Sequence, residues 1–172
     1  MKGMQLLVAA ALMAVSCGGE GPGVNPPVLT EHDRTFAIEA SYGNYAEADL
    51  GTVADTISTN DSVSAFARMM VADHNAAQTE LENITSAWPV NLPEGPDSLH
   101  RALKQQLLTL QGLQFDTTYM NAQITDHERA VALYQKAADS SRVGALRAYA
   151  AKYLPGIRMH LEQARTMRQQ LR

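Results

Sequence analysis

From Leu29 onward, apolar residues recur at steps of three, four and seven with polar residues between them, the spacing of helices that bury one face. A first helix is expected from about Thr30 to Ser58, with Phe36, Ala40, Gly43, Leu50, Ala54 and Ile57 inward. Asn60 or Asp61 can cap a second helix by accepting from its free N–H groups. Its stripe is Val63, Phe66, Met70, Ala77, Leu81, Ile84 and Trp88, and Pro89 ends it. Residues 89–96, PVNLPEGP, read as a loop. Asp97 then caps a shorter helix through Leu99, Leu103, Leu107 and Leu110, loosened by Gly112. Asp116 is expected to cap the next long helix, whose stripe includes Met120, Ile124, Val131 and Tyr134. Ser140 and Ser141 mark a turn, and a last helix runs from about Arg142 to Gln170 with Leu146, Tyr149, Tyr153, Ile157, Ala164 and Met167 inward. Pro155 lies inside that helix, where its ring is expected to kink it. Four long amphipathic helices and one short connecting helix predict an all-α four-helix bundle over residues 30–172.

The first 29 residues are of another kind. Lys2 precedes a short apolar run from Met4 to Val15, too short for the roughly twenty residues that span a bilayer, so residues 1–16 read as a secretory signal. Ala14-Val15-Ser16 directly before Cys17 resemble a bacterial lipobox, in which the chain is cut before the cysteine and its thiol acylated; Ala14 stands where leucine is usual. Residues 17–29 begin CGGEGPGVNPP and read as a Gly/Pro tether. The expected product is an exported envelope lipoprotein held to a membrane by lipid on Cys17. Gly18 after that cysteine favours the outer membrane in a Gram-negative cell.

Composition narrows the rest. With Cys17 as the one cysteine, no intramolecular disulfide can form, and stability must come from a packed core. The whole chain carries a formal charge of −4; without residues 1–16 it has 13 basic against 18 acidic residues. That balance argues against nucleic-acid binding and against a polybasic membrane patch. There is no Gly-rich phosphate loop and no Ser-centred elbow. A monomer or weak oligomer is expected, and the residues name no protein partner.

Each long helix has one polar exception on its apolar stripe: Glu47, His74, His127 and His160. Inward carboxylate and imidazole on neighbouring helices are the donors of a metal site in a bundle core. They are costly to bury alone, so each needs a partner. Counting from the turns at 1.5 Å per residue puts Glu47, His74 and His127 in one layer and His160 roughly 10 Å away along the axis. Two readings stay open. Either Glu47 pairs with His74 in a structural polar layer, or the set holds a transition metal ion. His32 and His100 read as surface residues, and Asp73, Asp126 and Glu128 as rim acids pairing with residues such as Arg68 and Arg129. Adjacent helical residues point about 100° apart, so Asp73-His74 and Asp126-His127 cannot act as dyads. Methionines 70, 120 and 167 lie on core stripes, where gap filling is their usual task, although copper held by Met and His is a further option.

The segments FARMMVADHNAAQTEL (66–81), FDTTYMNAQITDHERAVALYQKAA (115–138) and YLPGIRMHLEQA (153–164) resemble the bacterial domain-of-unknown-function family 4142. The resemblance implies an exported, often lipid-anchored protein of the ferritin-like helical superfamily, with Glu47, His74, His127 and His160 at matching positions. It implies no established activity. Di-iron bundles of that superfamily carry Glu-x-x-His on two helices, whereas Val71, Ile124 and Ile157 stand three residues before the histidines here, so di-iron chemistry does not carry over. The expected function is a non-enzymatic interaction or envelope-stress module; the alternative is a metal-binding or redox bundle using the inward Glu and His residues.

Overall fold

The computed structural model describes residues 28–171, so the signal, Cys17 and most of the 17–29 tether lie outside the described residues. Five helices follow one another: α1 Glu31–Ile57, α2 Asp61–Thr85, α3 Ser98–Leu107, α4 Gly112–Ser140 and α5 Gly144–Gln170. Their starts are local chemistry. The Thr30 hydroxyl accepts from the Asp33 N–H while the Asp33 carboxylate accepts from the Thr30 N–H, a reciprocal capping box. Asn60 Oδ1 accepts from the N–H groups of Ser62 and Val63, and Asp97 Oδ1 from those of Leu99 and His100.

Two expectations fail at the start of α4. Asp116 does not cap it; the helix begins at Gly112, whose φ of 54° turns the chain from the short 108–111 connection into α4. Only glycine takes that angle without strain, so Gly112 starts a helix here. Asp116, one turn in, is buried and accepts a 2.6 Å bond from the Ser58 hydroxyl. Pro155 leaves α5 continuous from Gly144 to Gln170.

Helices α1 and α2 pack as one hairpin and α4 and α5 as the other, and the hairpins meet along α1–α4 and α2–α5. The α2-to-α4 connection travels the length of the bundle. Its carbonyls at Pro89 and Pro93 accept from Arg34 and Ser41, and Lys104 of α3 pairs with Asp49 at 2.6 Å, so it climbs along α1. One long crossover of this kind is the ferritin-like arrangement. The Ser58–Asp116 bond ties the hairpins at one end. At the other, Asp33 Oδ1 accepts from the Ser141 hydroxyl at 2.6 Å and from the Arg142 N–H. Although burial raises the Asp33 carboxyl, these bonds and those from Thr30 hold it below the usual range. None of the described helices is long and apolar enough to cross a membrane.

The core falls into two apolar clusters with a polar layer between them. One cluster includes Phe36, Ala40, Ala77, Leu81, Tyr134, Tyr149 and Ile157; the other includes Leu50, Met70, Phe115, Tyr119, Met120 and Ala164. On every long helix a buried polar residue sits where one cluster stops and the other starts: Asn44 and Glu47, His74, Gln123 and His127, and His160.

The α1–α2 contact is closest at Gly51, where a Cβ would meet Ala67 O and Val71 Cγ2, each at 2.9 Å. At Gly43, eight residues earlier in α1, a Cβ meets nothing within 4 Å. The same substitution therefore has opposite signs. Gly51→Ala is expected to lose about 1–2 kcal/mol of unfolding free energy through overpacking, and Gly43→Ala to gain roughly 0.5–1 kcal/mol through helix propensity. Urea unfolding of both variants checks this, and a stabilised Gly51→Ala would contradict the contact.

Candidate metal centre

Three of the four stripe exceptions meet at the bundle axis. One ring nitrogen each of His74, His127 and His160 lies within 4.8 Å of those of the other two, and all three residues are buried. The ring centroids stand 5.5 to 5.9 Å apart. His160 joins despite the axial offset expected from counting. The turn between Ser140 and Gly144 absorbs part of it, leaving His127 thirteen residues before the end of α4 and His160 sixteen after the start of α5. Side chains lean toward their own helix N-terminus. In antiparallel neighbours that moves His127 away from the turn and His160 toward it, which closes the remaining three-residue gap.

Each ring is held from behind by an oxygen. His127 Nδ1 lies 2.9 Å from the Gln123 carbonyl oxygen, and His160 Nε2 lies 3.0 Å from Asp73 Oδ2. Carbonyl and carboxylate only accept, so those two nitrogens carry the proton. His74 Nδ1 lies 3.1 Å from Asn44 Oδ1, and its tautomer is set through a relay. The Glu82 carboxylate accepts from Gln78 Nε2 at 2.8 Å, which turns Gln78 Oε1 toward Asn44 Nδ2 at 3.3 Å. Asn44 Nδ2 also faces the Tyr149 hydroxyl at 3.2 Å, leaving its oxygen for His74. His74 Nδ1 is therefore the donor. The nitrogens left without a partner are His74 Nε2, His127 Nε2 and His160 Nδ1, all buried, and each is a bare lone pair.

Burial pushes all three imidazoles below their ordinary pKa: His74 strongly, His127 to about 4, and His160 despite the opposing Asp73 carboxylate. They are neutral at pH 7, the form that donates to a metal. An imidazole whose outer N–H is fixed by carboxylate, carbonyl or amide oxygen has the outer-shell arrangement usual for metal-ligating histidine.

Glu47 is not in the converging set and does not bond His74. Its Oε2 accepts from Gln123 Nε2 at 2.6 Å and its Oε1 lies 3.5 Å from His127 Nδ1, so it stands behind His127. Burial raises its carboxyl to about 8, against the lowering effect of the Gln123 bond. His100 is no surface residue either. Only 16% exposed, it sits 2.9 Å from Asp97 Oδ2 and 3.4 Å from Asp126 Oδ2; the Asp126 contact leads in raising it to about 9. Asp126 also pairs with Arg129 as expected, whereas Arg68 pairs with Asp55 and Glu128 with Arg165. Asp73 faces His160 across the bundle and not its neighbour His74. Sequence reasoning missed Asn44, Gln123 and Asp73 as partners. Asn44 and Gln123 lie one helical turn before Glu47 and His127, a spacing that could have flagged them.

The Glu47 shift has a readable consequence in metal-free protein. Between about pH 4.5 and 8 the unfolded chain ionises this carboxyl and the folded chain keeps it protonated, so rising pH favours unfolding. The imidazoles act oppositely: their neutral burial costs stability as pH falls from about 6.5 toward 4. In Glu47→Gln the first effect disappears and the second remains. The difference in unfolding free energy, variant minus wild type, is expected to grow in the variant's favour between about pH 5 and 8, on the order of a few kcal/mol. Denaturant titrations across that window measure it; a constant difference would mean that Glu47 is ionised in the fold.

No curated protein matches the chain. Among solved structures it is similar to a Streptomyces coelicolor protein described as a secreted protein of the family DUF305. The TM-score is 0.66 at 13% identity, over 77% of this chain and 87% of that one, a likeness of fold. The pattern of the domain-of-unknown-function family DUF4142 matches residues 20–167, which takes in the whole layer from Asn44 to His160, and the chain belongs to that family.

Proposed function

We propose that this protein binds one divalent transition-metal ion at the centre of its bundle, through His74 Nε2, His127 Nε2 and His160 Nδ1. The observation that carries the reading is three buried lone pairs, each on a ring whose other nitrogen holds its proton, on histidines clustered with ring centroids 5.5 to 5.9 Å apart. An unmet buried acceptor costs about 1–3 kcal/mol. A single water has two protons to give and would leave one of the three unmet. A cation satisfies all three. Three nitrogens bound tetrahedrally at about 2.1 Å stand about 3.4 Å apart, so the rings need to close by only the order of 1 Å.

Neutral imidazoles without thiolate suit zinc, copper(II), cobalt(II) or nickel(II) more than the hard oxygen-seeking ions. Asn44, the Gln123 carbonyl and Asp73 orient the ligands, with the Glu47 carboxyl group behind His127. A purely structural polar layer would leave the lone pairs paired within the protein, whereas all three lack a partner and the Glu47–His74 couple does not form. We place this activity in the cell envelope, on a lipid anchor at Cys17. The short apolar run and the residues before Cys17 support that placement, as does a fold shared with a protein described as secreted.

Elemental analysis after dialysis against zinc, copper or cobalt is expected to find one equivalent of metal. Metal at 100 times its Kd should stabilise the fold by about 2.7 kcal/mol. His127→Ala should abolish uptake, and Asp73→Ala, which removes only the oxygen behind His160, should weaken it by about 10–100-fold. A folded wild type that takes up none of these ions would sink the proposal. Separately, full-length protein made in a lipoprotein-processing bacterium should partition with membranes, and Cys17→Ser should move it to the soluble fraction. Equal partitioning of the two would remove the anchor.

A further inference from the structure

Among the described residues no further His, Cys, Asp or Glu joins the three histidines in the cluster. Glu47 is held behind His127 by Gln123, and Asp73 is spent on the outer nitrogen of His160. The ion would keep a free position, as catalytic rather than structural zinc sites do. A cavity of about 220 Å³ borders the centre at His74 and His160. It runs from the exposed Ala76 and Lys152 to the buried Ala77 and Ile157, along the thinnest of the four seams between long helices, α2–α5.

Gly156 lines this cavity from the interior of α5. A helix-interior glycine costs roughly 0.5–1 kcal/mol relative to alanine, and at Gly51 the close approach of α2 accounts for it. At Gly156 a Cβ would meet nothing within 4 Å. Packing does not require glycine there, and what its missing side chain leaves is the cavity. Gly43, the other helix-interior glycine with open space around its Cβ, lines a second cavity of about 380 Å³ that also reaches His74. Both permissive glycines thus open onto the same imidazole.

We infer that the cavity at Gly156 admits a small inorganic anion to the fourth position of the bound metal; the inference rests on the metal reading above. The three imidazoles that would hold the ion are neutral, and the nearest carboxyls, Asp73 and Glu47, reach it only through the outer sides of His160 and His127, so an anion is favoured over a neutral ligand at the open position. The cavity's size limits the class to ions of a few atoms such as azide or a halide; Lys152 lies at its exposed end, while the Asp73 carboxylate in its wall disfavours a larger or more highly charged anion.

The test uses the full chain loaded with cobalt(II), whose visible spectrum reports its coordination, and azide as the probe. Metal content is measured first, so a failure of the metal reading is separated from a failure of this one. Azide is expected to change the spectrum saturably, one equivalent per metal. Gly156→Leu should keep full metal content while raising the half-saturating azide concentration at least about tenfold, equivalent to 1.4 kcal/mol. Gly156→Ala should fold and load normally. Should the leucine variant not fold, Ala76→Phe at the exposed end of the cavity makes the same test. A fully loaded protein whose spectrum ignores azide overturns the inference, as does a folded blocked variant that binds azide like wild type. A chain that loads no metal overturns both readings.

Discussion

A buried imidazole nitrogen with a free lone pair and no donor is destabilising, and this bundle brings together three of them from three helices. The surrounding structure is organised around that cost. Each ring is gripped from behind by an acceptor on another helix or one turn earlier on its own, so none can rotate to satisfy itself without breaking a bond. Burial keeps the rings neutral, and neutrality keeps the lone pairs bare. Orientation and charge state thus reinforce each other.

The layer also divides the hydrophobic core, so the two halves are joined through polar contacts at mid-height. Compensation lies at the ends. Asp33 joins the start of α1 to the turn between α4 and α5, and Asp116 joins the start of α4 to the turn between α1 and α2. Both are buried carboxylates that serve one hairpin by position and the other by hydrogen bond. With the crossover running along α1, the hairpins are held at both ends and along one side while the α2–α5 seam stays sparse.

Much of this was readable from residue order. Periodicity placed all five helices, and Thr30, Asn60 and Asp97 mark their starts because capping is local chemistry. The failures share a cause. Asp116 resembles a cap but is taken by Ser58 across the bundle, and the φ of Gly112 is invisible in sequence. Counting along helices treats side chains as perpendicular pegs, and so it separated His160 from His127. His74, His127 and His160 could be nominated one by one. Which nitrogen each presents depends on Asn44, Gln123 and Asp73, and Glu47, equally conspicuous in the sequence, stands behind a ring. Such details belong to packing between helices that residue order does not rank.

The relay behind His74 reaches further than its length suggests. Glu82 is solvent-exposed, makes contacts that a stability scan would score as marginal, and lies two helical turns from the histidine. Because a carboxylate cannot donate, it orients two amides in series and, with the Tyr149 hydroxyl, fixes which imidazole nitrogen is bare in the interior. An amide at position 82 could face either way, and Asn44 would then be oriented by Tyr149 alone, whose hydroxyl donates to the Ala77 carbonyl. The chemical identity of a core donor is thus written in part on the outer surface of the protein, at a position where burial and packing would both rank the side chain as a bystander.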